Sequence, residues 1–84
     1  MLNPSVYADL QNADMKGRLR LNCVGTIQDL AKHGISLRNG LKLELYDEDH
    51  KVEGEVLFSD EEHLWVAVID WKAIRTSEQR APVS

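Results

Sequence analysis

One cysteine, two prolines, few aromatic residues and no long apolar run set firm limits on this chain of 84 residues. With Cys23 alone, neither an internal disulfide nor a multi-cysteine zinc site can form, and a reducing compartment is the natural setting. No stretch approaches the roughly 20 apolar residues that span a bilayer, and Met1-Leu2-Asn3-Pro4-Ser5 lacks the basic and apolar regions of a leader. The expectation is a cytoplasmic protein without membrane attachment. Lys and Arg number ten against fourteen Asp and Glu, a net charge of −4. Such a chain offers no basic field, which disfavours nucleic acid as a partner. The five glycines are dispersed and form no phosphate loop. No G-x-S-x-G elbow or S-x-x-K pair occurs. A chain this short builds one core and buries roughly 60% of its unfolded surface.

What is present is alternation. Val6, Ala8 and Leu10 alternate with Tyr7, Asp9 and Gln11, a pattern that predicts an edge strand within an N-terminal arm over 1–15. Asn12-Ala13-Asp14 has turn chemistry. In Arg18-Leu19-Arg20-Leu21-Asn22-Cys23 the second, fourth and sixth residues point to a core. Gly25-Thr26 opens the one helix, with Thr26 as cap, Ile27, Leu30 and Ala31 on its packing face and Gly34 as terminator. Leu41, Leu43 and Leu45 face inward on the next strand. Val52, Gly54, Val56 and Phe58 share a face on the one after, with Gly54 at a bend. Leu64-Trp65-Val66-Ala67-Val68-Ile69 is apolar on both faces. Asp70 to Arg75 reads as a turn and a last edge strand, and 76–84 as a disordered tail. Together these predict an all-β (β-rich) small antiparallel barrel over 16–75, with five or six strands and one short helix.

The polar clusters argue against catalysis. Asp47-Glu48-Asp49 and Asp60-Glu61-Glu62 fall in successive hairpin loops, at opposite ends of a strand roughly 20 Å long. Neither fits the Ca²⁺-loop pattern. His50 and His63 are divided by the same strand, and His33 sits where a helix C-terminus favours a cation. Cys23, placed inward, behaves as a small hydrophobe. No catalytic residue, metal or cofactor is expected, and the reading is non-enzymatic.

Two surfaces remain. Lys16, Arg18 and Arg20 form a basic stripe whose expected partners are Glu44, Glu53 or Glu55 across the sheet. Trp65, Ala67, Ile69 and Trp71 share one parity. With Tyr46 and Leu57 on the solvent side of neighbouring strands, Trp65 and Trp71 suggest a protein-binding face, unless the helix or the N-terminal strand covers it. The partner is then another protein or a second copy in a homodimer.

Short alternating strands, acidic hairpins and a one-turn element before a final strand resemble the SH3-like small barrels of short bacterial single-domain proteins. Asp29-Leu30-Ala31-Lys32-His33-Gly34 followed by Ile35-Ser36-Leu37 resembles the D-x-S-x-x-G motif of PilZ domains, which bind cyclic di-GMP. Ala31 replaces that family's serine, and Arg18 and Arg20 are two apart where the family has R-x-x-x-R. The resemblance implies an alternative function, anion or nucleotide binding through Arg18, Arg20 and Asp29.

Overall fold

The alternating leucines of 41–46 and the run 50–59 become the middle of a sheet in a computed structural model that describes residues 4–76. In chain order the elements are β1 (Ser5–Tyr7), β2 (Leu19–Arg20), α1 (Val24–Lys32), β3 (Lys42–Tyr46), β4 (His50–Ser59) and β5 (Leu64–Ile69), then a 3₁₀ turn (Trp71–Ala73) and β6 (Arg75–Thr76). β3 and β4 pair antiparallel with Leu43 opposite Gly54 and Leu45 opposite Val52. β5 returns along β4 with Val56 opposite Ala67 and Phe58 opposite Trp65. Lys51 pairs with Tyr46 of β3 and with Arg75 of β6, so β6 lies on the β5 side and continues along β4 after the 3₁₀ turn.

The strand order is β1-β3-β4-β5-β2, and β1 runs parallel to β3. The sheet is thus mixed and open at its edges, where a closed, wholly antiparallel barrel was expected. It is also strongly curled, for a reason that chain length supplies. Beyond β2, residues 12–14 pair back through Asp14 N–H to Arg18 O and Arg20 N–H to Asn12 O, while β1 lies at the far edge. Flat, those edges would stand five spacings apart, about 24 Å. The link from Tyr7 to Ala13 contains a turn, Asn12 N–H to Asp9 O at 2.9 Å. That link reaches only about 17 Å, so the sheet must bend.

The concave side holds the core: Val6, Ala8, Leu19, Leu21, Leu43, Leu45, Val52, Val56 and Ala67. At Gly54 the strand β4 packs close against its neighbours. A Cβ there would lie 2.9 Å from Leu45 Cδ1 and 3.2 Å from both Ala67 Cβ and Ile69 Cγ2.

α1 begins three residues earlier than a Thr26 cap implies, at Val24. β2 ends at Arg20, and Cys23 is a half-buried N-cap, not an inward strand residue. Thr26 makes no cap: it is fully buried, and its hydroxyl donates to Tyr7 O at 2.6 Å. That hydroxyl has a single proton, so the Cys23 thiol donates to Thr26 Oγ1, 2.9 Å away. The helix closes as expected on Gly34 at φ 64°, with Gly34 N–H to Ala31 O and Ile35 N–H to Leu30 O, a Schellman end. No helix among the described residues is long and apolar enough to cross a membrane. The expected tail, apart from Thr76, lies outside the described residues.

Candidate functional site

The basic stripe of β2 is spent on one end of the molecule. Asp14 folds its own hairpin, with Oδ1 accepting from the N–H of Lys16 and Arg18 and Oδ2 from Arg18 Nε at 2.8 Å. Burial pushes the Asp14 carboxyl up, but the backbone N–H and guanidinium of Arg18 and the Lys16 N–H outweigh it and hold it below the usual range. Arg18 reaches Glu61 at 3.1 Å and Lys16 reaches it at 2.9 Å. Arg20 grips both carboxylate oxygens of Glu62, at 2.7 and 2.8 Å, and donates to Ala13 O and Asn12 Oδ1. The expected partners were Glu44, Glu53 or Glu55. Because β2 pairs with β5, the stripe instead meets the loop that precedes β5.

Helix α1 is attached by polar groups. Tyr7 N–H donates to Asp29 Oδ2 at 2.9 Å, and the Tyr46 hydroxyl donates to the same oxygen at 2.5 Å. With Thr26 on Tyr7 O, the helix satisfies both edge-facing backbone groups of Tyr7, while Ala8 N–H turns the other way to Tyr46 O. The Tyr46 hydroxyl holds Asp29 below the ordinary carboxylate range, and Asp29 with burial pushes Tyr46 up to about 12. Asp29 therefore serves β1 and β3, and Arg18 and Arg20 serve the hairpin and loop.

Since Thr26, Asp29 and Leu30 face the sheet, the rest of the helix is turned over. Val24 is 69% and Ile27 55% exposed, and Ala31 is exposed too. At i, i+3 and i+7 they form one outward stripe. Sequence periodicity placed Ile27 and Ala31 on the packing face with Leu30. Only Leu30 packs there. The available clue was Thr26 and Asp29, three apart opposite Val24.

The residues considered as one binding face are distributed. Trp65, opposite Phe58, is on the concave side and stacks edge-on to that ring at 5.1 Å. Leu57 lies opposite Val66 on the other side of the sheet. Tyr46, on the same side as Leu57, is six positions along the ladder and lies edge-on to Tyr7. Trp71, 45% exposed, donates its indole N–H to Gly17 O at 2.8 Å.

Beside α1 lies an open groove of about 340 Å³ lined by Tyr7, Asp9, Gln11, Asp47, Glu48, Asp49 and His50. The first acidic cluster is thus joined by Asp9. The second cluster is at the other end of β4 and is met by Lys16, Arg18 and Arg20. Among the described residues, no group of three or more His, Cys, Asp or Glu side chains is placed to hold a metal ion. Compared with protein-family models, with curated proteins and with solved structures, the chain matches none.

Proposed function

We propose that this protein is a non-enzymatic, cytosolic protein-interaction module whose docking surface is the outward stripe Val24, Ile27 and Ala31 of α1. One observation carries the reading: the helix turns its hydrogen-bonding side chains to the sheet and its apolar ones to solvent. Burying an exposed aliphatic side chain is worth about 1.5–3 kcal/mol, so a partner gains most where such residues line up. The 3₁₀ turn before a short last strand is the feature shared with SH3-like barrels, and it supports reading the curled sheet as a relative of that architecture.

The test is photo-crosslinking in native lysate, with a benzophenone amino acid at position 27 and, as control, at exposed position 38. A discrete adduct from position 27 that disappears with Val24→Glu is expected. The same adducts from both positions would remove the basis for the proposal.

A further inference from the structure

We infer that the segment docking on α1 is a cationic amphipathic one, with Lys or Arg beside its apolar residues; this rests on the docking reading above. Tyr7 links the acidic groove to the first turn of α1. The Tyr7 ring lines the groove and lies so close to Gly25 that a Cβ there would be 2.8 Å from its Cδ2. Gly25 follows Val24 directly, so a partner segment that crosses the first turn of α1 runs past Tyr7 toward Asp9, Asp47 and Glu48. The groove lining contains no Lys or Arg, unlike the loop at the other end of β4, where three cations meet Glu61 and Glu62. Charge complementarity thus selects basic residues at the Val24 end of the stripe, while Lys32 follows Ala31 at its other end. The Tyr7 phenol senses the same field: after burial, its upward shift comes from Asp9, Cys23, Glu48 and Asp47.

From Val24 to Ala31 the stripe runs about 10 Å, enough for roughly two turns of a partner helix. The contact is a small, transient one, below about 1,200 Å² in total.

The experiment titrates the full ¹⁵N-labelled chain with three synthetic helical peptides of one apolar pattern. Leu positions are held constant, and the polar flank is Lys, Gln or Glu. The Lys peptide is expected to shift the amides of Val24 and Ile27 together with those of Asp9 and Glu48. At low salt it should bind roughly tenfold more tightly than the Gln peptide, since exposed charge pairs contribute a few tenths of a kcal/mol to about 1 each. The gap should close at high salt. The double variant Asp9→Asn/Glu48→Gln, which keeps hydrogen-bond acceptors at both positions, should reduce the Lys preference, with Asp47 still charged, and leave the Gln peptide unaffected. Equal binding of Lys and Gln peptides at α1, or tighter binding of the Glu peptide, would overturn the charge assignment and leave the docking reading standing. No shift at α1 with any peptide would defeat the docking reading itself. Dilution-dependent shifts at α1 without peptide would make a second copy the occupant and overturn the basic partner.

Discussion

Asp29→Ala should be among the most damaging single changes outside the apolar core, because one carboxylate oxygen accepts from both Tyr7 N–H and Tyr46 O–H. Hydrogen bonds to a charged acceptor contribute about 1.5–3 kcal/mol each. Both donor residues are half-buried, so water replaces part of what is lost and the lower end applies. Two bonds give about 3 kcal/mol. Against a total of about 4–13 kcal/mol for a domain of this size, that is a quarter or more of the stability. Asp29→Asn keeps an acceptor oxygen and loses the charge, which removes roughly half as much. The assay is urea unfolding at neutral pH followed by tryptophan fluorescence, with the slope m compared to confirm that the native state is unchanged. Amide exchange at Tyr7 should accelerate in step. A loss below about 1 kcal/mol for the alanine variant would refute the argument that α1 is tied to the sheet through this residue.

Gly54→Ala should cost about 1–3 kcal/mol through overpacking against Leu45, Ala67 and Ile69, measured as a lower thermal midpoint. Tyrosinate absorbance should show Tyr46 titrating near 12 in the native protein and lower in Asp29→Asn, where burial still holds it above the ordinary value. Its neutral form is the one the fold favours, so this contribution is complete below about pH 10 and is lost as pH rises toward 12. On the acid side, Asp14, Asp29, Glu61 and Glu62 are all held low, Glu61 first by Lys16 and Glu62 first by Arg20. Their stabilisation is complete above about pH 4.5 and is lost as pH falls through the depressed native values. Circular dichroism against pH should therefore give an acid midpoint below the ordinary carboxylate range, moved upward by salt as the exposed Lys16–Glu61 pair is screened, the half-buried Arg20–Glu62 pair less so.

Strands with one buried face could be read directly. Leu43 and Leu45 face the core as their alternation requires, and β5 spans Leu64–Ile69 as its apolar run does. Alternation could not decide which face of β5 is inward, because both parities are apolar. The ladder with β4 decides it and puts Trp65 and Ala67 inside, away from Leu57. Nor does periodicity carry sheet order. The pairing of β2 with β5 made Glu61 and Glu62, not the glutamates of β3 and β4, the partners of the basic stripe. The helix boundary shifted for a similar reason. Thr26 has the chemistry of a cap, but a backbone carbonyl of Tyr7, distant in sequence, takes its hydroxyl. The outward stripe of α1 follows from that tertiary bond, which the sequence signals only through the spacing of Thr26 and Asp29 opposite Val24.

The span from Ala8 to Asn12 links the two edges of the sheet, and its length acts as a drawstring on the curvature. Side-chain replacements there leave the draw of the string unchanged, whereas inserted residues slacken it and let the edges separate. A deletion has no slack to use, because the turn at Asp9 already shortens the path. The width of the concave side is thus set by residue count along one connecting segment. Insertions of one, two and three glycines after Gln11 should open the sheet in graded steps, while removal of a single residue should unpair Ala13 from Leu19.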